Sequence, residues 1–292
     1  MEQIQNNRVI TDLYRENAQF PGIALDGSDV YLCWQRFVDR HDSLMASCRR
    51  GDEVVWEREI SDGGEVLHPV ILAHGGAIWY AWSEYARENW RILARCYRDG
   101  QWGEVLTVAS GEALFFPRLF TWQGKLHVIW TEQHKGSAAA VLCPLTEAGP
   151  GAAETVSTVG EAYRAGAAEG GDGNLYAAYD GFDGKQYKLF ARARTAAGWS
   201  EEIVVSQGED WASTPWIAAK PDGAVVGWYD YGYMAVYSVR SADLTVRDGA
   251  LAAVNPQCLK EGVDWYLDLH VASNSSGLQA MAYTRSKYDV LV

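Results

Sequence analysis

The chain has 292 residues, of which 48% are hydrophobic, and it carries a formal net charge of -13 with a sequence pI near 4.9. This excess of acid repels nucleic-acid phosphates and anionic bilayers, so we expect neither nucleic acid nor a membrane surface to be a partner. The length and the hydrophobic fraction are sufficient for one large domain with an extensive core.

The amino-terminal residues 1–17 lack the basic start and apolar segment of a signal peptide, and no apolar run approaches the length of a membrane span. These features are typical of a cytoplasmic protein. A secreted protein whose signal had been removed would look the same, so that alternative stays open.

One outline recurs along the chain. An aromatic residue ends the second predicted strand of each copy, and these aromatic positions are separated by 48, 48, 49, 49 and 55 residues: Trp34, Trp82, Trp130, Tyr179, Trp228 and Tyr283. A proline lies 13 residues before four of them: Pro21, Pro69, Pro117 and Pro215. Four short strands in about 48 residues are typical of a propeller blade, whose sheet must stack on its neighbours.

The copy that covers residues 68–110 illustrates the strand assignment. We predict a second strand from Ala77 to Trp82, a polar loop from Ser83 to Arg91, a third strand from Ile92 to Arg98 and a fourth from Gln101 to Ala109. Asp99-Gly100 is a strong hairpin signal between the last two strands. The loops between second and third strands, and those between blades, differ from copy to copy, which predicts one varied face that carries the site.

The sequence therefore predicts an all-β fold: a single six-bladed β-propeller with four antiparallel strands per blade. The predicted blades cover approximately residues 12–61, 62–110, 111–157, 158–206, 207–254 and 255–292. Residues 1–11 resemble a fourth strand and are expected to close the last blade.

Three of the five cysteines occupy equivalent third-strand positions: Cys48, Cys96 and Cys143. Equivalent sites in neighbouring blades are too far apart for a disulfide. We expect all five, including Cys33 and Cys258, to be small buried thiols.

Charged residues recur at the ends of the predicted strands. Near the aromatic positions lie Arg36, Glu84, Glu132, Asp180, Asp230 and Arg285, and the first strands contribute His68, Arg118, Arg164, Trp216 and Asp268. Glu84, Glu132 and Asp230 are candidate catalytic acids, and the others are candidate ligand-binding residues. The plainer interpretation is that these acids and arginines form salt bridges between blades.

Aromatic residues accumulate in the segments predicted as varied loops, and the candidates for ligand binding are Trp211, Tyr233 and Trp265. Flat aromatic faces with a polar rim stack on sugar rings, which favours a glycan ligand. They could instead be lids over the blades. The histidines lack zinc-site spacing, and no phosphate or dinucleotide fingerprint occurs, so we predict neither a metal nor a cofactor.

The repeat outline, a proline followed by IALDG, IWYAWSE and LARCYRDGQW, resembles the blades of the sialidase superfamily, although the S-x-D-x-G-x-x-W turn of that family does not occur. Sialidases hold a substrate carboxylate with three arginines and use a tyrosine with a glutamate partner and an aspartate. The resemblance implies such roles for residues among Arg36, Arg118, Arg164, Arg285, Tyr233, Glu84, Glu132 and Asp230. The segment RCYRDGQW is also similar to repeats of six-bladed fucose lectins.

Three functional classes remain open on the sequence. We favour a module that binds a carbohydrate or another polar, acidic small molecule. The alternatives are a glycan-cleaving enzyme, either a glycoside hydrolase or a polysaccharide lyase, and a protein interaction platform. Paired acids would favour the module, whereas an unpaired acid with a raised pKa beside a cavity would favour the enzyme. The sequence leaves the oligomeric state open.

Overall fold

A computed structural model of the chain describes residues 17–61, 63–232, 237–263, 269–273 and 279–283. Every regular element in this described part is a β-strand, and it includes no helix that could cross a membrane. The chain divides into two compact units, Met1–Ser110 and Gly111–Val292. The all-β prediction is confirmed.

The first unit contains two antiparallel sheets whose strands follow one another in chain order. The first sheet consists of β1 (Asn17–Asp26), β2 (Asp29–Val38), β3 (His41–Arg50) and β4 (Glu53–Glu59). The second consists of β5 (Glu65–His74), β6 (Ala77–Ala86), β7 (Asn89–Arg98) and β8 (Gln101–Trp102). A further strand, β9 (Leu106–Gly111), also pairs with β7. The predicted fourth strand of this copy is thus divided into two short pieces.

The second unit repeats this pattern three times. One sheet contains β10 (Ala113–Trp122), β11 (Lys125–His134), β12 (Ser137–Thr146), β13 (Gly149–Pro150) and β14 (Glu154–Thr155). The next contains β15 (Ala162–Glu169), β16 (Leu175–Phe182), β17 (Tyr187–Thr195), β18 (Gly198–Trp199) and β19 (Ile203–Val204). The third contains β20 (Trp211–Lys220), β21 (Gly223–Tyr231), β22 (Tyr237–Arg247) and β23 (Ala250–Val263), and β24 (Leu269–Ser273) pairs with β25 (Gln279–Tyr283).

The predicted polar loop from Ser83 to Arg91 is wrong. Strands β6 and β7 continue through this segment and are joined by Arg87 and Glu88, both with positive φ, as in a tight hairpin turn. The polarity of the segment reflects the Glu84–Arg91 ion pair across the hairpin and the charged residues of its turn rather than a long loop. Two-residue turns also join β2 to β3 and β11 to β12, so most candidate acids lie at strand ends and not on long loops.

A β-bulge recurs in the first strand of all five larger sheets. Each register shift contains a non-glycine residue with φ between 46° and 55°: Phe20, His68, Phe116, Arg164 and Thr214. A proline follows four of these five residues, and proline disfavours the right-handed helical region for the residue before it. Such bulges commonly redirect side chains next to functional sites.

The core of each unit lies between successive sheets, and the recurring aromatic residues are buried in it. Trp82 packs with Cys33 and Leu44 in the first unit, and Trp228 packs with Tyr176 and Leu189 in the second. Trp34, Trp130 and Tyr179 are also buried.

Four cysteines are buried free thiols, as expected, and these are Cys33, Cys48, Cys96 and Cys143. The expectation for Cys258 is wrong, because this residue is exposed on β23, the last strand of its sheet. The proposed closing segment, residues 1–11, lies outside the described residues.

Candidate functional site

Two of the candidate acids share one paired arrangement, each within its own unit. In the first unit, fully buried Glu84 accepts a hydrogen bond from Trp82 Nε1 at 3.2 Å and forms an ion pair with Arg91, directly opposite on β7. In the second unit, Asp230 accepts from Trp228 Nε1 at 2.5 Å and forms an ion pair with Arg240 of β22. Burial nevertheless raises the pKa of Asp230, although the hydrogen bond from Trp228 and the charge of Arg240 both act to lower it.

The equivalent acid of β11 has a different environment. Glu132 is exposed and lies opposite Ala139, so no arginine faces it across the hairpin. It contributes to a cavity of about 280 Å³ within the second unit, lined also by His134, Ser137, Ala139, Val141, Ala153, Glu154 and Thr155. The indole Nε1 of Trp130, two residues earlier on the same face, is buried without an acceptor among the described residues.

Asp180 and Arg164 form the most buried ion pair of the second unit. Asp180 has no exposed surface and accepts hydrogen bonds from Arg164 Nε at 2.9 and 3.1 Å, as well as from Arg164 Nη2. The backbone N–H of Thr214 also donates to Asp180. Burial raises the pKa of Asp180, and the adjacent guanidinium counteracts this effect.

The bulge residues take part in links between successive sheets. The backbone N–H of Arg164 donates to Thr131 Oγ1 at 3.0 Å, just as the N–H of the next bulge residue, Thr214, donates to Asp180. In each case a side chain at the end of one second strand satisfies a bulge donor in the following first strand. The bulges of β15 and β20 are therefore fixed in place.

Among the described arginines of this region, Arg118 is the one that has no acid partner in the described part of the chain. Its guanidinium carbon lies 3.7 Å from the ring centroid of Trp216, a close cation–π contact. Gly166 lies beside this contact: a Cβ atom there would be 3.7 Å from Arg118 Cδ. Gly166 of β15 thus lies within van der Waals range of the Arg118 stem, and a side chain larger than a methyl group there would crowd it.

The charge of Arg118 is poorly compensated. Its Nη1 is buried and makes no hydrogen bond to any described residue, and it forms no salt bridge within that part of the chain. Burial lowers the pKa of Arg118 to about 9, although the charge of Asp180 acts in the opposite direction. The half-buried side chain is therefore a cation for which an external anion could supply the missing counter-charge.

An aromatic cluster lies next to the Asp180–Arg164 pair. Tyr187 contacts Tyr163, Phe182 and Trp211 with ring centroids 6.2, 5.5 and 5.6 Å apart. Asp180 and Arg164 both act electrostatically on Tyr187, which places the cluster near the ion pair. Trp211 remains 47% exposed, so this cluster presents an aromatic surface to solvent.

The remaining predicted residues do not join this group. In the first unit, Arg36 lies 3.6 Å from Glu59, and His68 makes an edge contact with Phe20 at 4.9 Å. Four further candidates lie outside the described residues: Tyr233, Trp265, Asp268 and Arg285. The structure therefore groups Arg118, Arg164, Asp180, Trp211 and Trp216 in the second unit.

Several residues that form the ion pairs and the candidate site were not identified from the sequence. Arg91 and Arg240 partner the candidate acids, but their roles depend on hairpin register. Gly166 is one of 29 glycines, and only its position beside the side chains of Arg118 and Ile217 distinguishes it. Tyr187 was missed, although its position at the start of a third strand repeats that of Trp90.

Within the residues that the structure covers, no group of three or more histidine, cysteine, aspartate or glutamate side chains is arranged to hold a metal ion.

No family model and no curated protein matches the chain. Among solved structures, it is similar to an α-L-arabinofuranosidase from Lactobacillus brevis, with 10% identity, 92% of this chain and 94% of that chain covered and a TM-score of 0.50. It is also similar to the subtype N10 neuraminidase-like protein of A/little yellow-shouldered bat/Guatemala, with 8% identity, coverage of 79% and 90% and a TM-score of 0.50.

A third similar structure is the Kuenenia stuttgartiensis hydrazine synthase, with 13% identity, coverage of 99% and 100% and a TM-score of 0.53. At such low identity these likenesses concern the fold alone. Together with the repeated antiparallel sheets, they show an all-β fold of the β-propeller kind.

Proposed function

We propose that this protein is a propeller module that binds a carbohydrate bearing a carboxylate, with the anion held at Arg118. The proposal is based on the contrast between this arginine and its neighbours. Arg164 and Arg240 have carboxylate partners, whereas Arg118 is stacked on Trp216 with a buried donor unsatisfied. A guanidinium preorganised by stacking favours a planar, bidentate anion such as a carboxylate.

The surroundings of Arg118 support a sugar rather than a simple anion. Tyr163, Tyr187 and Trp211 form an aromatic surface close to the Asp180–Arg164 pair, and amphipathic rings of this kind favour sugar faces. Two of the similar folds bear the names of carbohydrate-related proteins, an arabinofuranosidase and a neuraminidase-like protein. These names make carbohydrates the first ligand class to test.

Binding without turnover is favoured by the state of the acids. Glu84, Asp180 and Asp230 are all buried and ion-paired, which is the expected arrangement for structural carboxylates. A general acid or base must instead reach the proton that it transfers.

A glycan-cleaving activity is the second candidate, and one observation favours it. Glu132 is exposed, lies beside a cavity, and has no ion pair or hydrogen bond among the described residues. Turnover of a glycoside that is lost in Glu132→Gln but retained in Glu112→Gln, a nearby exposed glutamate, would establish this activity.

We also propose that the chain forms one domain of six blades. The repeat spacing and the β24–β25 pair support a sixth blade, which residues 1–11 would complete. Closure would leave no open sheet edge between the first and last blades.

The binding proposal is tested by a thermal-shift screen of monosaccharide acids, including galacturonic, glucuronic and N-acetylneuraminic acid, each beside its neutral counterpart where one exists. Stabilisation by at least one acid, lost in Arg118→Met, is expected. Arg58→Met is the matched control, because Arg58 also lies over a tryptophan, at 5.7 Å from Trp102, but in the first unit. Stabilisation that survives Arg118→Met would refute the site.

A further inference from the structure

The strand β20 carries two tryptophans that share one face of its sheet. In a regular strand, residues five positions apart lie on opposite faces. Here the bulge at Thr214 inserts an extra residue, so that Trp211, Ser213 and Trp216 lie opposite Tyr231, Tyr229 and Gly227. The three partners alternate regularly on β21, which places Trp211 and Trp216 on the same side.

The two indoles are separated along the strand and have different environments. At about 3.3 Å per residue, and allowing for the bulge, their Cα atoms are roughly 13 to 16 Å apart. Trp216 is covered by the guanidinium of Arg118, whereas Trp211 is 47% exposed and contacts Tyr187. Half-buried Ser213 lies between them on the same face. One end of this row is therefore charged and the other is uncharged and aromatic.

We infer that the ligand is an extended oligosaccharide whose acidic residue binds at Arg118 and whose neighbouring, uncharged end stacks on Trp211. This inference rests on the proposed binding of an acidic sugar at Arg118. With the Cα atoms of Trp211 and Trp216 roughly 13 to 16 Å apart, a ligand that contacts both indole positions would extend over more than one sugar ring. Ser213 provides a hydroxyl between the two ends that can exchange hydrogen bonds with sugar hydroxyls.

The arrangement of the aromatic residues supports a second subsite rather than packing alone. Trp211 is the only tryptophan among the exposed large hydrophobic residues of the described chain. Tyr187 contacts Trp211 with ring centroids 5.6 Å apart, and Tyr163 in turn contacts Tyr187. An exposed indole beside neutral phenols suits a sugar face and its hydroxyl rim.

The test compares glucuronic acid with aldobiouronic and aldotriouronic acid, in which one glucuronic acid is linked to one or two neutral xylose residues, by isothermal titration calorimetry, in the full chain and in four variants. We expect the trisaccharide to bind about 10-fold more tightly than the monosaccharide, since aromatic contacts of this kind typically give a factor of this order. Trp211→Ala should remove this advantage, whereas Trp211→Phe should retain most of it. Val204→Ala, which truncates another exposed apolar residue of the second unit, should leave it unchanged.

The outcomes separate the two proposals. If the monosaccharide binds and requires Arg118, but length gives no advantage or Trp211→Ala leaves the advantage intact, the extended ligand is refuted and the acidic-sugar site stands. If Arg118→Met leaves monosaccharide affinity unchanged, or no acidic sugar binds, both are overturned. Thermal melting of each variant verifies that it is folded.

Discussion

Replacing Arg118 by methionine should stabilise the ligand-free protein. A pKa that falls from the usual arginine range to about 9 corresponds to at most roughly 4–5 kcal/mol of unfavourable free energy, because each pH unit corresponds to about 1.4 kcal/mol. The half-buried side chain remains partly solvated, and its contact with Trp216 returns about 1–2 kcal/mol. We therefore expect a net gain of about 1 kcal/mol in the free energy of unfolding for Arg118→Met, which keeps an unbranched stem on the indole.

The matched variant is Arg164→Met, in which the sign should be reversed. Arg164 is ion-paired with Asp180, and removing one partner of a buried pair leaves an uncompensated charge. A loss of about 3 kcal/mol is expected. Thermal melting and urea unfolding measure both effects, and at this chain length 1 kcal/mol corresponds to about 2–4 °C.

The difference between wild type and Arg118→Met should also depend on pH. Because burial lowers the pKa of Arg118 in the folded state, the unfolded state binds more protons at alkaline pH, and wild-type stability rises with pH relative to the variant. The advantage of Arg118→Met should thus shrink as the pH rises through the alkaline range. A melting temperature that falls by more than 2 °C in Arg118→Met at pH 7 would refute this reasoning, because Arg118 would then be a structural cation.

Three further outcomes follow from the same contacts. With a thiol reagent at pH 8, the native protein should be labelled chiefly at exposed Cys258, because burial raises the pKa of Cys33 to about 12 and that of Cys143 to about 11. The denatured protein should show five reactive thiols, and fewer than five would indicate a disulfide. Gly166→Leu should weaken acidic-sugar binding and lower the free energy of unfolding by about 1–3 kcal/mol through overpacking. Gly166→Ala, whose Cβ would lie 3.2 Å from Ile217 Cγ2, should lower it less. Equal binding by wild type and Gly166→Leu would contradict the path assigned to Arg118. Deleting residues 1–11 should lower the melting temperature by several degrees if they complete the sixth blade, and an unchanged melting curve would argue against closure.

Much of the fold could be predicted because the repeat is carried by local signals. Pro69 and its equivalents mark first strands, Trp82 and its equivalents mark buried second strands, and turn residues such as Asp99-Gly100 mark hairpins. These signals depend on backbone preference and burial, which a sequence shows directly.

The segment from Ser83 to Arg91 shows where local reasoning fails. Its polar residues indicate a loop, yet Glu84 and Arg91 are opposite each other in a hairpin and neutralise one another. Polarity on a sequence cannot distinguish a solvated loop from a charged cross-strand pair, because the pair depends on register.

The candidate site was only partly predictable for a similar reason. Arg118 and Trp216 were both identified as first-strand residues, but their contact joins strands of different sheets, which local sequence does not show. Trp211 and Trp216 are an odd number of residues apart, which predicts opposite faces, and only the bulge at Thr214 brings them to the same face. A bulge shifts the alternation by one residue, and local sequence does not show how the strands then pair.

Recognition of a sugar carboxylate by Arg118 can be measured by a calorimetric titration of galacturonic acid and galactose, which differ in one carboxylate, into wild type and Arg118→Met at low and moderate salt. We expect wild type to bind the acid more tightly than the neutral sugar, higher salt to reduce this preference, and Arg118→Met to abolish it. Equal affinity for the two sugars in wild type, or a preference for the acid that persists in Arg118→Met, would contradict the binding proposal.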